Sequence, residues 1–67
     1  MIIYIFNDNN LEETKVFSSL KKAESFAQRK TSVKCKWKAV LLNDNVVDYW
    51  VDESSSRDVK IYRRQVN

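Results

Sequence analysis

A chain of 67 residues holds one domain, residues 1–67, near the lower size limit for folding without a disulfide or a metal. Its single cysteine, Cys35, excludes an internal disulfide; the lack of histidine and glycine removes the commonest general base, the commonest metal ligand and the glycine-rich phosphate loop. Twelve basic residues against nine acidic ones give a net charge of +3, which permits an anionic partner without demanding one.

Residues 1–6 (MIIYIF) are apolar at every position, the pattern of a strand buried on both faces, and are expected inside the sheet. No basic region precedes this run and no small-residue cleavage site follows it, so it reads as neither a signal peptide nor a membrane span. A cytoplasmic location is expected, because a lone cysteine suits a reducing compartment. With no glycine or proline available, turns fall to Asn and Asp, and Asn7-Asp8-Asn9-Asn10 is the first of them. Residues 11–17 (LEETKVF) form a more polar strand suited to a sheet edge. The register of this hairpin stays open, because two- and three-residue turns bring different faces together and neither aligns the apolar residues cleanly.

Ser18 is placed to cap a helix over residues 19–30, where Leu20, Ala23, Phe26 and Ala27 make one apolar stripe. Lys21 and Lys22 stand in its first turn, where the helix dipole prefers acids, and are read as tolerated cations rather than an anion site. Thr31-Ser32 ends the helix. Residues 34–42 (KCKWKAVLL) then alternate, with Cys35, Trp37, Ala39 and Leu41 on one face and Lys34, Lys36 and Lys38 on the other. Residues 46–52 (VVDYWVD) follow Asn43-Asp44-Asn45, with Val47, Tyr49 and Val51 on one face and Asp48, Trp50 and Asp52 on the other. A three-residue turn pairs Leu41 with Val47, Ala39 with Tyr49 and Trp37 with Val51, and sets Lys38 against Trp50. It satisfies both faces and places Asn45 in the left-handed region. A two-residue turn would set Leu41 opposite Asp48 and Ala39 opposite Trp50, mixing core with surface. Residues 53–57 form a polar loop, and residues 58–66 form the last strand, with Val59 and Ile61 inward and Lys60, Tyr62 and Arg64 outward.

The order is ββαβββ, an α+β fold with one helix on one face of an antiparallel sheet. A right-handed crossover from the second strand to the third gives strand order 2-1-3-4-5. The other face has no second layer to cover it.

No catalytic site, metal site or cofactor is expected. A core of this size supports about 3–5 kcal/mol of stability, which leaves little to hold a strained site. Cys35 has no histidine to activate it, and its alternation with Trp37 and Ala39 makes it a small buried hydrophobe. Asp48 and Asp52 lie about 13 Å apart by strand rise, too far for shared-proton chemistry. The open face draws more attention. It is expected to carry Lys36, Lys38, Trp50, Lys60, Tyr62 and Arg64 as partner-binding residues. Trp, Tyr and Arg dominate protein hot spots, whereas the interleaved Asp48 and Asp52 repel phosphate. Lysine stems lying over Trp50 merely to solvate the sheet are the plain alternative.

The stretch Val16-Phe17-Ser18-Ser19-Leu20-Lys21-Lys22-Ala23-Glu24-Ser25-Phe26-Ala27 looks like a strand-to-helix junction common in very short bacterial and phage reading frames. In size and layout the chain is similar to small phage-encoded inhibitors, including some anti-CRISPR proteins. That resemblance implies a stoichiometric role, occupying a surface of a larger host complex, and carries over no individual residue. The function expected is therefore a non-catalytic binding module of a phage or mobile element, acting on a protein partner or self-associating through the open face. The alternative is a small nucleic-acid-binding domain using the same face.

Overall fold

The computed structural model describes residues 1–31, 33–54 and 58–66. Ser32, expected at the helix stop, and Ser55, Ser56 and Arg57 of the expected polar loop lie outside the described residues. The elements run β1 (Ile2–Asp8), β2 (Glu13–Phe17), α1 (Leu20–Arg29), β3 (Trp37–Asn43), β4 (Val46–Asp52) and β5 (Val59–Gln65). This is the α+β arrangement read from the sequence, with one helix and every strand pair antiparallel.

The strand order is β2-β1-β5-β4-β3, not 2-1-3-4-5. Both orders keep the same strand directions, because β3 and β5 run parallel to each other within the meander. Burial separates them. The strand beside β1 lies under the helix and needs large apolar side chains there. β5 supplies Val59 and Ile61, 4% and 0% exposed, whereas β3 is preceded by Lys36 and carries Lys38. The meander therefore closes through β5, and β3 becomes an edge.

The first hairpin resolves as a four-residue connection, with Asp8 opposite Glu13 and Tyr4 opposite Phe17. Asp8 is fully buried, and its Oδ1 accepts from the Asn10 and Leu11 N–H groups at 3.0 and 3.3 Å. An aspartate that bonds its own following backbone in this way folds the turn locally. Glu12 completes it at φ 53°, the one positive φ among the described residues.

The helix begins one residue later than expected. Ser19 is the cap, extended at φ −142° and ψ 152°, and its Oγ accepts from the Lys22 N–H at 3.2 Å. Ala23 and Ala27 face the sheet, and their small size lets the helix sit close over Phe6 and Ile61. Phe26 meets Phe6 edge-on at 5.1 Å between ring centroids and Phe17 at 5.3 Å. Burying a side chain such as Phe6 contributes about 1.5–3 kcal/mol. At the helix end Lys30 pairs with Glu13 at 2.6 Å, tying α1 to β2.

The helix backbone lies over β1, β2 and β5 only. The β3–β4 hairpin meets the core through two long side chains, Trp37 and Trp50, which pack against the buried cluster. Its register at both ends is that of the two-residue turn. Ala39 faces Trp50, Trp37 faces Asp52, and Asp44-Asn45 makes a two-residue turn with Asn43 opposite Val46. Asn45 is not left-handed. The expected Leu41–Val47 pairing is present, through irregularities at Val40/Leu41 and Leu41/Asn43. Every other expected pairing across this hairpin is shifted by one residue, which turns β4 over.

Candidate interaction face

With β4 turned over, Trp50 belongs to the helix side. It lies opposite Ile61 on β5, and its ring is 6.0 Å from that of Tyr4. Together with Tyr4, Leu20, Val47 and Arg63 it lines a shallow cleft between the helix start and the hairpin. Its expected place among the partner-binding residues of the open face is therefore corrected. Trp50 stands between Asp48 and Asp52 in the less apolar phase of β4, yet its indole reaches the core whereas the Tyr49 hydroxyl needs water or a partner.

The same inversion brings Tyr49 to the open face. Strand pairing sets Val16, Ile5, Tyr62, Tyr49 and Val40 side by side, one from each strand, in a single apolar row across the whole sheet. Val16 is 60% exposed and the other four are half-buried. The Tyr49 and Tyr62 rings meet at 5.4 Å at the row's centre. An adjacent row runs Thr14, Asn7, Lys60, Val51 and Lys38. Alternation of apolar residues on both faces of β1 gives Ile5 to the row, and in this respect the first strand is as expected.

Of the expected partner-binding residues, Tyr62, Lys60, Arg64 and Lys38 do share this face. Arg64 lies over the Tyr62 ring at 5.0 Å and Lys60 over the Tyr49 ring at 5.6 Å. Both cations already have carboxylates: Arg64 with Asp48 at 2.8 Å, and Lys60 with Asp58 at 3.6 Å. Lys38 is exposed opposite Val51, and Lys36 is exposed just before β3. The aspartates expected to sit among these cations divide: Asp48 pairs with Arg64, while Asp52 is buried on the other side.

Asp52 ends β4, 6% exposed, and works as a backbone clasp. Its Oδ1 accepts from the Ser54 hydroxyl at 2.6 Å, the Ser54 N–H at 2.8 Å and the Lys36 N–H at 3.0 Å. Burial raises its pKa, but the bonds from Ser54, Lys36 and the Cys35 thiol outweigh burial and hold it below the usual 3.8. Asp58 is held low by the Asn9 amide, with burial opposing and Lys60 assisting. Cys35 is a half-buried thiol, in no disulfide, rather than a core hydrophobe. Its N–H donates to Gln28 Oε1 at 2.8 Å, while Gln28 Nε2 donates to the Val33 carbonyl. The expected burial gave way because residues 33–36 precede the strand and are held by Gln28 and Asp52.

Among the described residues no group of three or more His, Cys, Asp or Glu could hold a metal ion, and no helix is long and apolar enough to cross a membrane. No protein-family model matches the chain, and neither a curated protein nor a solved structure matches it.

Proposed function

We propose that the chain is a non-catalytic protein-binding module whose working surface is the open face of the sheet. The apolar row Val16–Ile5–Tyr62–Tyr49–Val40 carries this reading, because it spans five strands with no second layer over it among the described residues. A paired tyrosine centre ringed by Lys38, Lys60 and Arg64 has the chemistry of a protein hot spot, with apolar bodies, polar tips and a charged rim. The likeness in size and layout to small phage-encoded inhibitors supports a host protein complex as target and the host cytoplasm as its place of action.

A nucleic-acid strand stacked on the two tyrosines is the second reading, favoured by the basic groups beside them. The pairing of Lys60 with Asp58 and of Arg64 with Asp48 weighs against it, since those charges are already answered. Capture from host lysate with and without nuclease, then titration of the purified partner, separates the two. Nuclease-resistant capture is expected, and Tyr62→Ala should cost about 2 kcal/mol or more of affinity with little change in thermal stability. Capture that nuclease abolishes, with affinity falling steeply in salt, assigns the face to nucleic acid. Binding indifferent to Tyr62→Ala removes the face from the function.

A further inference from the structure

We infer that β3 is a self-pairing edge, through which two copies of this chain join their sheets into one. The two edges of the sheet differ in kind. β2 opens with Glu13, Thr14 and Lys15, three of its five residues, the charged and polar guard that keeps an edge from pairing, before Val16 and Phe17. β3 carries Ala39, Val40, Leu41 and Leu42 in succession, with Leu41 and Leu42 58% and 67% exposed. Nothing among the described residues covers that edge.

The backbone is presented for pairing. The Glu53 N–H donates to the Lys36 carbonyl at 2.8 Å, and the Lys36 N–H donates to Asp52, so Lys36 faces β4. Alternation then turns the N–H and C=O groups of Trp37 and Ala39 outward, to the open side. Strand length selects the register. β3 runs from Trp37 to Asn43, so its antiparallel overlap with a second copy is complete only when Val40 meets Val40 of that copy. Ala39 then lies opposite Leu41 of the second copy, and Lys36 lies beside Asp44 of the second copy at both ends.

Charge therefore agrees with the register that length selects. Lys36 and Asp44 have no ion pair among the described residues, and the two-fold pairing supplies one to each. Such an interface is isologous, with its axis perpendicular to the sheet. Both helices fall on one side, and the two Val40 side chains join the apolar rows of the open faces end to end. A second copy fits this edge better than an unrelated strand does, because only the self-pair answers Lys36 and Asp44 together. The register shifts at Val40/Leu41 and Leu41/Asn43 fall inside this overlap, so the pairs nearest the axis, Val40 with Val40 and Ala39 with Leu41, carry the backbone contact, and the Lys36–Asp44 pairs rely on the reach of the lysine side chain.

Sedimentation of the whole chain from low micromolar to millimolar concentration tests the inference. A species of twice the 8.0 kDa chain mass is expected to build up with concentration. Ala39→Pro removes one outward N–H while leaving the bonds to β4 in place, so it should be folded and monomeric throughout. Lys36→Glu and Asp44→Lys should each weaken the dimer, and the double variant should restore it. A wild-type chain that stays monomeric overturns the inference and makes the register shifts at Leu41 an edge guard. A dimer that survives Ala39→Pro but is lost in Tyr62→Asp overturns it in favour of face-to-face association. Partner binding retained by monomeric Ala39→Pro shows the open-face reading to stand apart from this one.

Discussion

The sheet has two halves built on different terms. In β2–β1–β5 the helix supplies the second layer, and Phe6, Val59 and Ile61 are buried against Ala23 and Ala27. In β3–β4 no helix lies overhead. The hairpin is anchored by the reach of Trp37 and Trp50 into the core, and by Asp52, which gathers the Lys36 and Ser54 backbone at its end. The first half is stabilised by apolar area. The second relies on a few long or polar side chains, each with few substitutes. Stability should therefore fall off differently when each half is damaged.

The largest effect is expected at the centre of the clad half. Phe6 is fully buried and meets Phe26 edge-on, so Phe6→Ala should cost about 3–5 kcal/mol. A domain this small has about that much in total, so the variant should be largely unfolded in the absence of denaturant, with flattened near-ultraviolet circular dichroism. A cooperative urea transition near that of the wild type would show that the helix does not dominate the fold.

Trp50→Ala probes the other half. The indole is half-buried, so a loss of about 2 kcal/mol is expected, smaller than that for Phe6. Because it lies on the helix side, partner affinity measured on the folded fraction should be unchanged, unlike that of Tyr62→Ala. A variant of normal melting temperature with lost affinity would return Trp50 to the binding surface.

This residue also marks where sequence reasoning reached its limit. The helix, the five strands, the polar β2 edge and the inward Val59 and Ile61 follow from apolar periodicity, which is strong where only one phase is apolar. In residues 46–52 one phase is wholly apolar (Val47, Tyr49, Val51) and the other sets Trp50 between Asp48 and Asp52, so alternation turns the wrong face inward. Choosing the register that matched like with like failed because Asp52 reads as a surface charge. The structure buries it instead, hydrogen-bonded to backbone, as it does Asp8 at the end of β1. Both aspartates end a strand next to a turn or loop, and that position was the available signal. The open-face row was half legible: β5 displayed Tyr62 with Lys60 and Arg64, but Tyr49 was hidden by the inverted register. The strand order was legible only in the contrast between Val59 and Ile61 of β5 and the lysines of β3.

Asp52 gives the comparison a pH dependence. Its carboxyl titrates below 3.8 in the folded chain, where burial is outweighed by hydrogen bonds from Ser54, Lys36 and Cys35. A depressed pKa means stability that is fully present above the unfolded value and lost as pH falls through the folded one. Asp52→Asn should cost about 1–2 kcal/mol at neutral pH, through the weaker neutral acceptor, and should flatten the acid limb of the stability profile. Hydrogen exchange should rise first at residues 36 and 54, and not under the helix. An acid limb identical in wild type and variant would place the responsible carboxylates elsewhere.

The smallest effect is expected at Cys35, which tests how Asp52 is held rather than whether it is held. The thiol is half-buried and is the last of the groups that lower the Asp52 pKa. A serine hydroxyl is shorter but a stronger donor, so it can keep the bond with little apolar surface lost. Cys35→Ser should therefore change stability by less than about 1 kcal/mol, whereas a fully buried cysteine with no polar neighbour would leave the new hydroxyl unpaired and cost about 1–3 kcal/mol. Cys35→Ala removes the donor, so Asp52 should titrate slightly higher and the acid limb should move to higher pH, with the Ser54 and Lys36 donors limiting the shift. Urea denaturation across the acid range, on wild type, Cys35→Ser and Cys35→Ala together, reads both quantities. If neither serine nor alanine moves the acid limb, the thiol bond to Asp52 has no part in holding the hairpin, and Gln28 alone fixes residues 33–35.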